Sequence, residues 1–155
     1  MKKITRTIDI KAPAQRVFDF LTHPENLPGV WPRLVSVSNI VARGDGVNDF
    51  DWVYKMAHVP FKGRSVTEDA RPGKLLRVKN TGGIASTFRW TFESVDGSGS
   101  RITMEAEYDI PQTLLGKVAE TIITKSSERD AETLLHNLKD VLESGQTTIT
   151  RGAEA

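Results

Sequence analysis

Alternating apolar and polar residues dominate the middle of the chain. The clearest run covers residues 48–58, where Phe50, Trp52, Tyr54, Met56 and His58 share one face. Successive side chains of a strand point to opposite sides of the sheet, so a period of two indicates half-buried β-strands. The pattern predicts strands over residues 5–11, 34–42, 48–58, 61–69, 75–80, 85–95 and 101–110. Short turns separate the last six, which favours an antiparallel sheet.

Helical spacing of apolar residues occurs near both ends of the chain. It predicts a short helix over residues 14–21, a second short helix after Pro24, and a long helix over residues 112–143. The long helix carries two apolar stripes, offset by roughly 140° about its axis. The first stripe contains Leu115, Val118, Ala119 and Ile122, and the second contains Ile123, Ala131, Leu134, Leu138, Val141 and Leu142. We therefore expect a kink or break between residues 122 and 127, unless the first stripe covers a pocket mouth or a second subunit, as in a homodimer.

The predicted sheet has one apolar and one charged face, so a single layer must cover it. The long helix is the only large candidate for this layer, which predicts an α+β fold. Its middle is small and polar at Ser126, Ser127 and Ala131, whereas the sheet offers large aromatic side chains. Small residues opposite large ones leave room for an apolar cavity between helix and sheet. Strict alternation also predicts that Trp90 is buried on the apolar face with Phe88 and Phe92.

Composition narrows the class of protein without assigning a function. The chain has 155 residues, no cysteine and a net charge of +1. This length suits one domain, predicted over residues 1–143, followed by a flexible tail over residues 144–155. No segment is long and apolar enough for a membrane span, and no signal peptide precedes the first strand, so we expect a cytoplasmic protein that is not an integral membrane protein.

Residues with reactive side chains form no recognisable catalytic or metal-binding motif. His23, His58 and His136 lack metal-ligand spacing, and there is neither a nucleophile elbow nor a dinucleotide-binding motif. We therefore predict no metal and no cofactor. Aromatic and basic residues fall on opposite strand faces, which argues against nucleic-acid binding. His58 continues the apolar face of its predicted strand, and this makes it a candidate for the cavity wall.

The order of elements and several local motifs resemble the START-like superfamily, also called SRPBCC, over residues 3–143. The matching segments are IKAPAQRVFDFL at residues 10–21, HPENLP at 23–28, Trp31 with Pro32, WTFE at 90–93, YDIP at 108–111, LLGK at 114–117 and NLKDVLE at 137–143. The superfamily includes the birch-pollen allergen, polyketide cyclases and aromatases, and coenzyme-Q-binding proteins. The resemblance implies a helix-grip fold, in which a curved antiparallel sheet wraps a long C-terminal helix and leaves a deep cavity.

The resemblance implies binding or transport of a small hydrophobic ligand, such as a lipid, an isoprenoid quinone or an aromatic polyketide-like molecule. The candidate ligand-binding residues are Trp52, Tyr54, Met56, Phe88, Trp90, Met104, Tyr108, Ile123, Ser127 and Ala131. A first alternative is a polyketide cyclase/dehydrase-like enzyme, in which His58, Tyr54 and Tyr108 would move protons. A second alternative is a regulatory protein-interaction domain that uses the first helical stripe.

Overall fold

In the computed structural model, which describes residues 1–144, seven antiparallel strands form one sheet. The strands are β1 (Lys2–Ile10), β2 (Leu34–Gly44), β3 (Val47–Met56), β4 (Val59–Arg71), β5 (Leu75–Gly82), β6 (Ser86–Val95) and β7 (Gly99–Tyr108). The helices are α1 (Ala14–Leu21), a single 3-10 turn (Pro24–Asn26), α2 (Gln112–Leu115) and α3 (Glu120–Ser144). The α+β, helix-grip prediction is confirmed.

The strands follow one another around a curved sheet whose order is β1-β7-β6-β5-β4-β3-β2. Strands β2 to β7 form a meander, and β1 returns to pair with β7. The register places Trp90 of β6 opposite Met104 of β7, and both side chains are buried on the same face. The predicted burial of Trp90 is therefore confirmed, and the apolar face of the sheet forms one wall of the core.

Helix α1 closes one end of the sheet. The Phe18 ring of α1 packs edge-on against Phe92 of β6, with the ring centroids 5.6 Å apart. Phe18 also lies against Gly46 in the β2–β3 turn, where a Cβ atom would come within 2.7 Å of the ring. Gly46 has a φ of +75°, so both the backbone conformation and the close approach require glycine there.

The C-terminal half of α3 lies on the apolar face of the sheet. The buried side chains of the helix are Ile123, Ala131, Leu134, Leu135, Leu138, Val141 and Leu142. This set contains the whole second stripe predicted from the sequence. Polar contacts also join the helix to the rest of the protein, including two near its C-terminal half. The Asn137 amide donates to the Val30 carbonyl over 2.9 Å, and the Glu143 carboxylate accepts from the Lys11 backbone N–H over 2.8 Å.

The predicted break in the long helix exists, but its predicted position between residues 122 and 127 is wrong. Helix α2 ends at Leu115, residues 116–119 separate the helices, and α3 is a single helix from Glu120 onwards. Gly116 follows α2 directly and is a poor helix former, which explains why the chain breaks there. The first stripe stays largely in solvent, since Leu115 and Ile122 are exposed and Val118 is half-buried.

The predicted strand over residues 48–58 is two residues too long. Strand β3 ends at Met56, and Ala57 and His58 form the turn into β4 with φ values of 51° and 66°. Two consecutive positive φ values are the mark of a type I′ hairpin turn, which usually carries Asn-Gly. His58 is exposed in this turn and does not enter the cavity wall, which contradicts its predicted position.

Beyond Ser144, the predicted tail over residues 144–155 lies outside the described part of the chain. Within residues 1–144, no helix has the length and apolar character that crossing a membrane would require.

Candidate ligand-binding cavity

A cavity of about 120 Å³, partly open to solvent, lies between α3 and the apolar face of the sheet. Most of its wall is apolar, which is typical of small-molecule sites. The lining residues are Ile4, Leu27, Trp31, Leu34, Phe50, Trp52, Tyr54, Met56, Asn80, Ile84, Ser86, Phe88, Met104, Ala106, Tyr108, Ser127, Asp130, Ala131 and Leu134. Every strand except β4 contributes to this wall, together with the loop after the 3-10 turn and α3.

The structure brings most of the sequence-predicted ligand-binding residues together in this wall. The members present are Trp52, Tyr54, Met56, Phe88, Met104, Tyr108, Ser127 and Ala131. Trp90 and Ile123 are buried but are not among the lining residues of this cavity. The Trp31 ring packs edge-on to Trp90, with centroids 6.4 Å apart, and lies in the cavity wall itself. That any of these residues binds a ligand stays a prediction.

Trp52 is a residue of the cavity wall whose hydrogen-bond donor is unused within the described residues. It lies on β3 opposite Gly63 of β4, and its indole ring occupies the space that a side chain at Gly63 would need. Only 7% of Trp52 is exposed, and its Nε1 atom has no hydrogen-bond partner within residues 1–144. Indole N–H only donates, so a group that satisfies it must be an acceptor.

Tyr108 provides a second unused polar group on the other side of the cavity. It ends β7, pairs with Lys2 of β1 and Ser86 of β6, and is 6% exposed. Its hydroxyl likewise lacks a hydrogen-bond partner in the described part of the chain. Strands β6, β5 and β4 separate β7 from β3 in the sheet, so Tyr108 and Trp52 approach the cavity from different sides.

A charged pair lies where the loop before β2 meets α3. Arg33 Nε lies 3.6 Å from Asp130 Oδ2, and the Asp130 side chain is largely buried. Burial raises the pKa of Asp130, although the nearby Arg33 and Arg129 charges lower it in part. Burial, and then the Asp130 charge, also raise the pKa of the Tyr54 hydroxyl, so this group stays neutral. Among the described residues, Asp130 is the one charged member of the cavity wall.

Two kinds of cavity residue are not predicted from the sequence pattern: residues in irregular loops and single polar residues. Trp31 lies in the loop after the 3-10 turn, where its N–H donates to the Leu27 carbonyl over 2.8 Å. No periodicity marks such a position. Asp130 precedes Ala131 on α3 and lies on the edge of the buried stripe. Phe50 is on the predicted apolar face and Leu134 in the predicted stripe, so pattern alone could have placed both in the wall.

A smaller cavity of about 60 Å³ lies beside the first one. It is bordered by the end of α1, the β2–β3 turn and the middle strands of the sheet. Its lining residues are Leu21, Thr22, Pro24, Leu27, Trp31, Gly46, Asn48, Phe50, Ser65, Thr67, Leu76, Val78, Asn80, Phe88 and Trp90. The two cavities share part of their walls, and Trp90 borders only the smaller one.

The sequence matches the family described as "Polyketide cyclase / dehydrase and lipid transport" over residues 1–143. The chain belongs to this family. The description of the polyketide cyclase/dehydrase and lipid transport family covers both enzymes and carriers, so membership alone does not choose between them. No curated protein matches the chain at a significant level.

Solved structures confirm the START-like fold of this family member. A protein from Thermus thermophilus aligns with a TM-score of 0.78 at 18% identity, covering 93% of this chain and 99% of its own. A START superfamily protein from Mycobacterium smegmatis aligns with a TM-score of 0.76 at 10% identity, over 93% and 99% of the two chains. An aromatase/cyclase from a Streptomyces species aligns with a TM-score of 0.70 at 14% identity, over 93% and 97%. At such identities the similarity concerns the fold.

Proposed function

We propose that the protein binds a small hydrophobic ligand in the cavity between α3 and the sheet. The observation that carries this proposal is the presence of two buried polar groups, Trp52 Nε1 and the Tyr108 hydroxyl, that have no partner within residues 1–144 and lie in a mainly apolar wall. A buried polar group without a partner costs free energy, about 1–3 kcal/mol each. A ligand that supplies the missing hydrogen bonds would offset this cost, so the groups are suited to orienting a bound molecule.

The placement of the two groups favours a particular chemistry. The Trp52 N–H lies on β3 and the Tyr108 hydroxyl on β7, on different sides of the cavity. A ligand that accepts a hydrogen bond from both carries oxygen acceptors at two separate points of an apolar core. Quinones and aromatic polyketide-like molecules have such paired carbonyl oxygens, whereas a plain hydrocarbon chain has none. Among the ligand classes that the fold suggests, we therefore favour a ring with two oxygens over a simple lipid.

The size of the cavity limits how much of the ligand is enclosed. A cavity of about 150 Å³ is known to hold benzene, so the present volume of about 120 Å³ suits a single ring. Longer parts of a ligand, such as an isoprenoid chain, would extend through the opening.

Uptake of 4-(dimethylamino)benzonitrile, a neutral fluorescent probe with a single ring, tests the proposal. The protein is titrated with the probe, and its emission reports transfer into an apolar site. Ala131→Trp fills the cavity from α3 and should weaken uptake by about 10-fold or more, equal to about 1.4 kcal/mol. Thr133→Trp places the same ring on the exposed side of α3 and should leave uptake unchanged. Equal uptake by both variants would contradict binding in this cavity.

A second candidate function, proton transfer in a cyclase- or dehydrase-like reaction, is favoured by Asp130. This carboxyl lies in the cavity wall, and burial moves its pKa toward neutral pH. A carboxyl with a raised pKa is suited to accept and return a proton. In this candidate, Tyr54 and Tyr108 would orient the substrate oxygens, and His58 has no role because it is exposed in the β3–β4 turn.

Comparison of binding with turnover separates the two candidates. A short poly-β-ketone thioester is incubated with the parent protein and with Asp130→Asn, and products are followed by mass spectrometry. If the protein is an enzyme, the parent forms a cyclised or dehydrated product, and the variant binds the substrate but loses turnover. If neither protein changes the bound substrate, the carrier function remains and the Asp130 reaction is ruled out.

A further inference from the structure

The smaller cavity borders the larger one along a common wall. Five residues line both cavities, namely Leu27, Trp31, Phe50, Asn80 and Phe88. The central part of this wall is an aromatic pair, Trp31 and Phe88, packed edge to face with centroids 5.1 Å apart. The two cavities therefore adjoin, and the Trp31 and Phe88 rings belong to their common wall.

Ser65 is the unusual residue of the smaller cavity. It lies on β4 between Phe50 of β3 and Asn80 of β5, both of which belong to the common wall. Only 1% of Ser65 is exposed, and its Oγ atom finds no hydrogen-bond partner among residues 1–144. A buried serine hydroxyl normally bonds to backbone or to another side chain, so Ser65 carries an unpaired hydroxyl beside the smaller cavity.

The neighbouring polar side chains are already satisfied. Thr67 Oγ1 bonds to both the N–H and the carbonyl of Asn48, over 3.1 and 3.0 Å. The Asn48 amide donates to the Thr22 carbonyl over 2.7 Å, and the Thr22 hydroxyl donates to the Phe18 carbonyl over 2.9 Å. Ser65 is therefore the hydroxyl in this wall that lacks a bond within the described chain.

The uncharged lining of the smaller cavity restricts which chemical groups can enter it. Within residues 1–144, its lining contains no charged side chain. Bringing a carboxylate or an ammonium group into such a wall would cost far more than a neutral group, because no opposite charge compensates for lost hydration. The volume of about 60 Å³ is several times the roughly 10–15 Å³ that one water molecule needs, so a small neutral group of several atoms fits.

We propose that the smaller cavity is a terminal subsite of the larger one, in which Ser65 binds a neutral hydroxyl or carbonyl group at the end of the ligand. The apolar body of the ligand fills the larger cavity, and its polar end reaches the smaller one across the common wall, which requires the packed Trp31 and Phe88 rings to move apart on binding. This inference rests on the proposed function, since it assumes that a ligand occupies the larger cavity. The subsite makes the protein prefer ligands with a neutral terminus over a charged one, and ligands that are long enough to reach Ser65.

Calorimetric titration with four aromatic probes tests the subsite. Butylbenzene has the same carbon skeleton as 4-phenyl-1-butanol without a polar terminus, and 4-phenyl-1-butanol adds a neutral hydroxyl that can reach Ser65. Benzyl alcohol is too short to reach the subsite, and 4-phenylbutyrate carries a charged terminus. We expect the parent to bind 4-phenyl-1-butanol more tightly than 4-phenylbutyrate. Ser65→Ala should weaken 4-phenyl-1-butanol by about 3- to 10-fold, the value of one hydrogen bond, and leave butylbenzene and benzyl alcohol unchanged.

Two controls show whether an effect of Ser65→Ala belongs to the subsite. Ser94→Ala makes the same change at an exposed position of β6 and should alter no affinity. Thermal unfolding of Ser65→Ala should occur at the parent temperature or above it, because an unpartnered buried hydroxyl is removed. A clear loss of stability would mean that Ser65 has a structural partner and would overturn the inference.

The remaining outcomes separate the subsite from the proposed function. If butylbenzene binds and Ser65→Ala weakens no probe, no ligand group bonds to Ser65, and the subsite is overturned while the larger site stands. Preference of the parent for 4-phenylbutyrate would also overturn the subsite. If no probe binds the parent, both the proposed function and the subsite fail.

Discussion

Trp90 is a buried residue of the core that also borders the smaller cavity. It is 2% exposed and pairs with Leu76 and Met104 on the neighbouring strands. Trp90→Ala should therefore lower the free energy of unfolding by about 3–5 kcal/mol, measured by urea denaturation. Arg89→Ala, at the exposed neighbouring position, should change it by no more than about 0.5 kcal/mol. A loss below about 1 kcal/mol for Trp90→Ala would contradict its place in the core.

Asp130 illustrates a residue whose environment opposes its charge. Its pKa is raised in the folded protein, so the fold disfavours the ionised form, and this destabilising effect is fully present above the raised pKa. Asp130→Asn cannot ionise and should therefore raise the melting temperature at pH 7. The difference should shrink as the pH falls through the raised pKa, because the parent carboxyl then becomes neutral as well.

Melting curves of parent and variant at pH 7 and pH 4 provide the measurement for Asp130. Asp140→Asn removes an exposed carboxylate from the same helix and serves as the control. A lower melting temperature for Asp130→Asn at pH 7 would mean that attraction to Arg33, 3.6 Å away, outweighs the cost of burial.

Secondary-structure elements with a repeating apolar pattern are predictable from the sequence, whereas the positions of single turns and helix breaks are not. All seven strands are predicted from the sequence. In six of them alternation marks a buried face over most of the length, whereas β2 contains no fully buried side chain and is marked by the turn that follows it. The end of β3 is not predictable from the pattern, because Ala57 and His58 adopt positive φ values without the glycine that usually marks such a turn. The offset stripes predict the break between α2 and α3. They misplace it, because Gly116 interrupts the helix earlier than the stripes alone indicate.

Helix α3 gives two adjacent isoleucines opposite environments. Ile123 is 2% exposed, whereas Ile122 is 62% exposed. Ile123→Ala should cost about 2–5 kcal/mol of unfolding free energy, and Ile122→Ala no more than about 0.5 kcal/mol. The two variants delete the same atoms from the same helix, so their difference in urea denaturation reports burial. Equal losses would show that the first stripe is covered in solution.

At the scale of the whole molecule, the cavity arises because α3 offers Ser127 and Ala131 where the sheet offers Trp52 and Tyr108. This opposition of small and large residues is readable from the sequence, and most of the predicted residues do line the cavity. Trp90 does not, because the loop after the 3-10 turn brings Trp31 alongside it, with the ring centroids 6.4 Å apart. That loop is held by long-range contacts such as Asn137 to Val30, which no local pattern encodes.

Methyl NMR during titration with butylbenzene shows whether this cavity takes a hydrophobic ligand. Ile4, Met104 and Leu134 line the cavity, whereas Ile122 and Val35 are exposed on the outer surface. We expect the methyl signals of the cavity residues to shift and to show contacts to the probe, while the surface methyls stay unchanged. Shifts confined to the surface methyls, or none at saturating probe, would contradict this expectation.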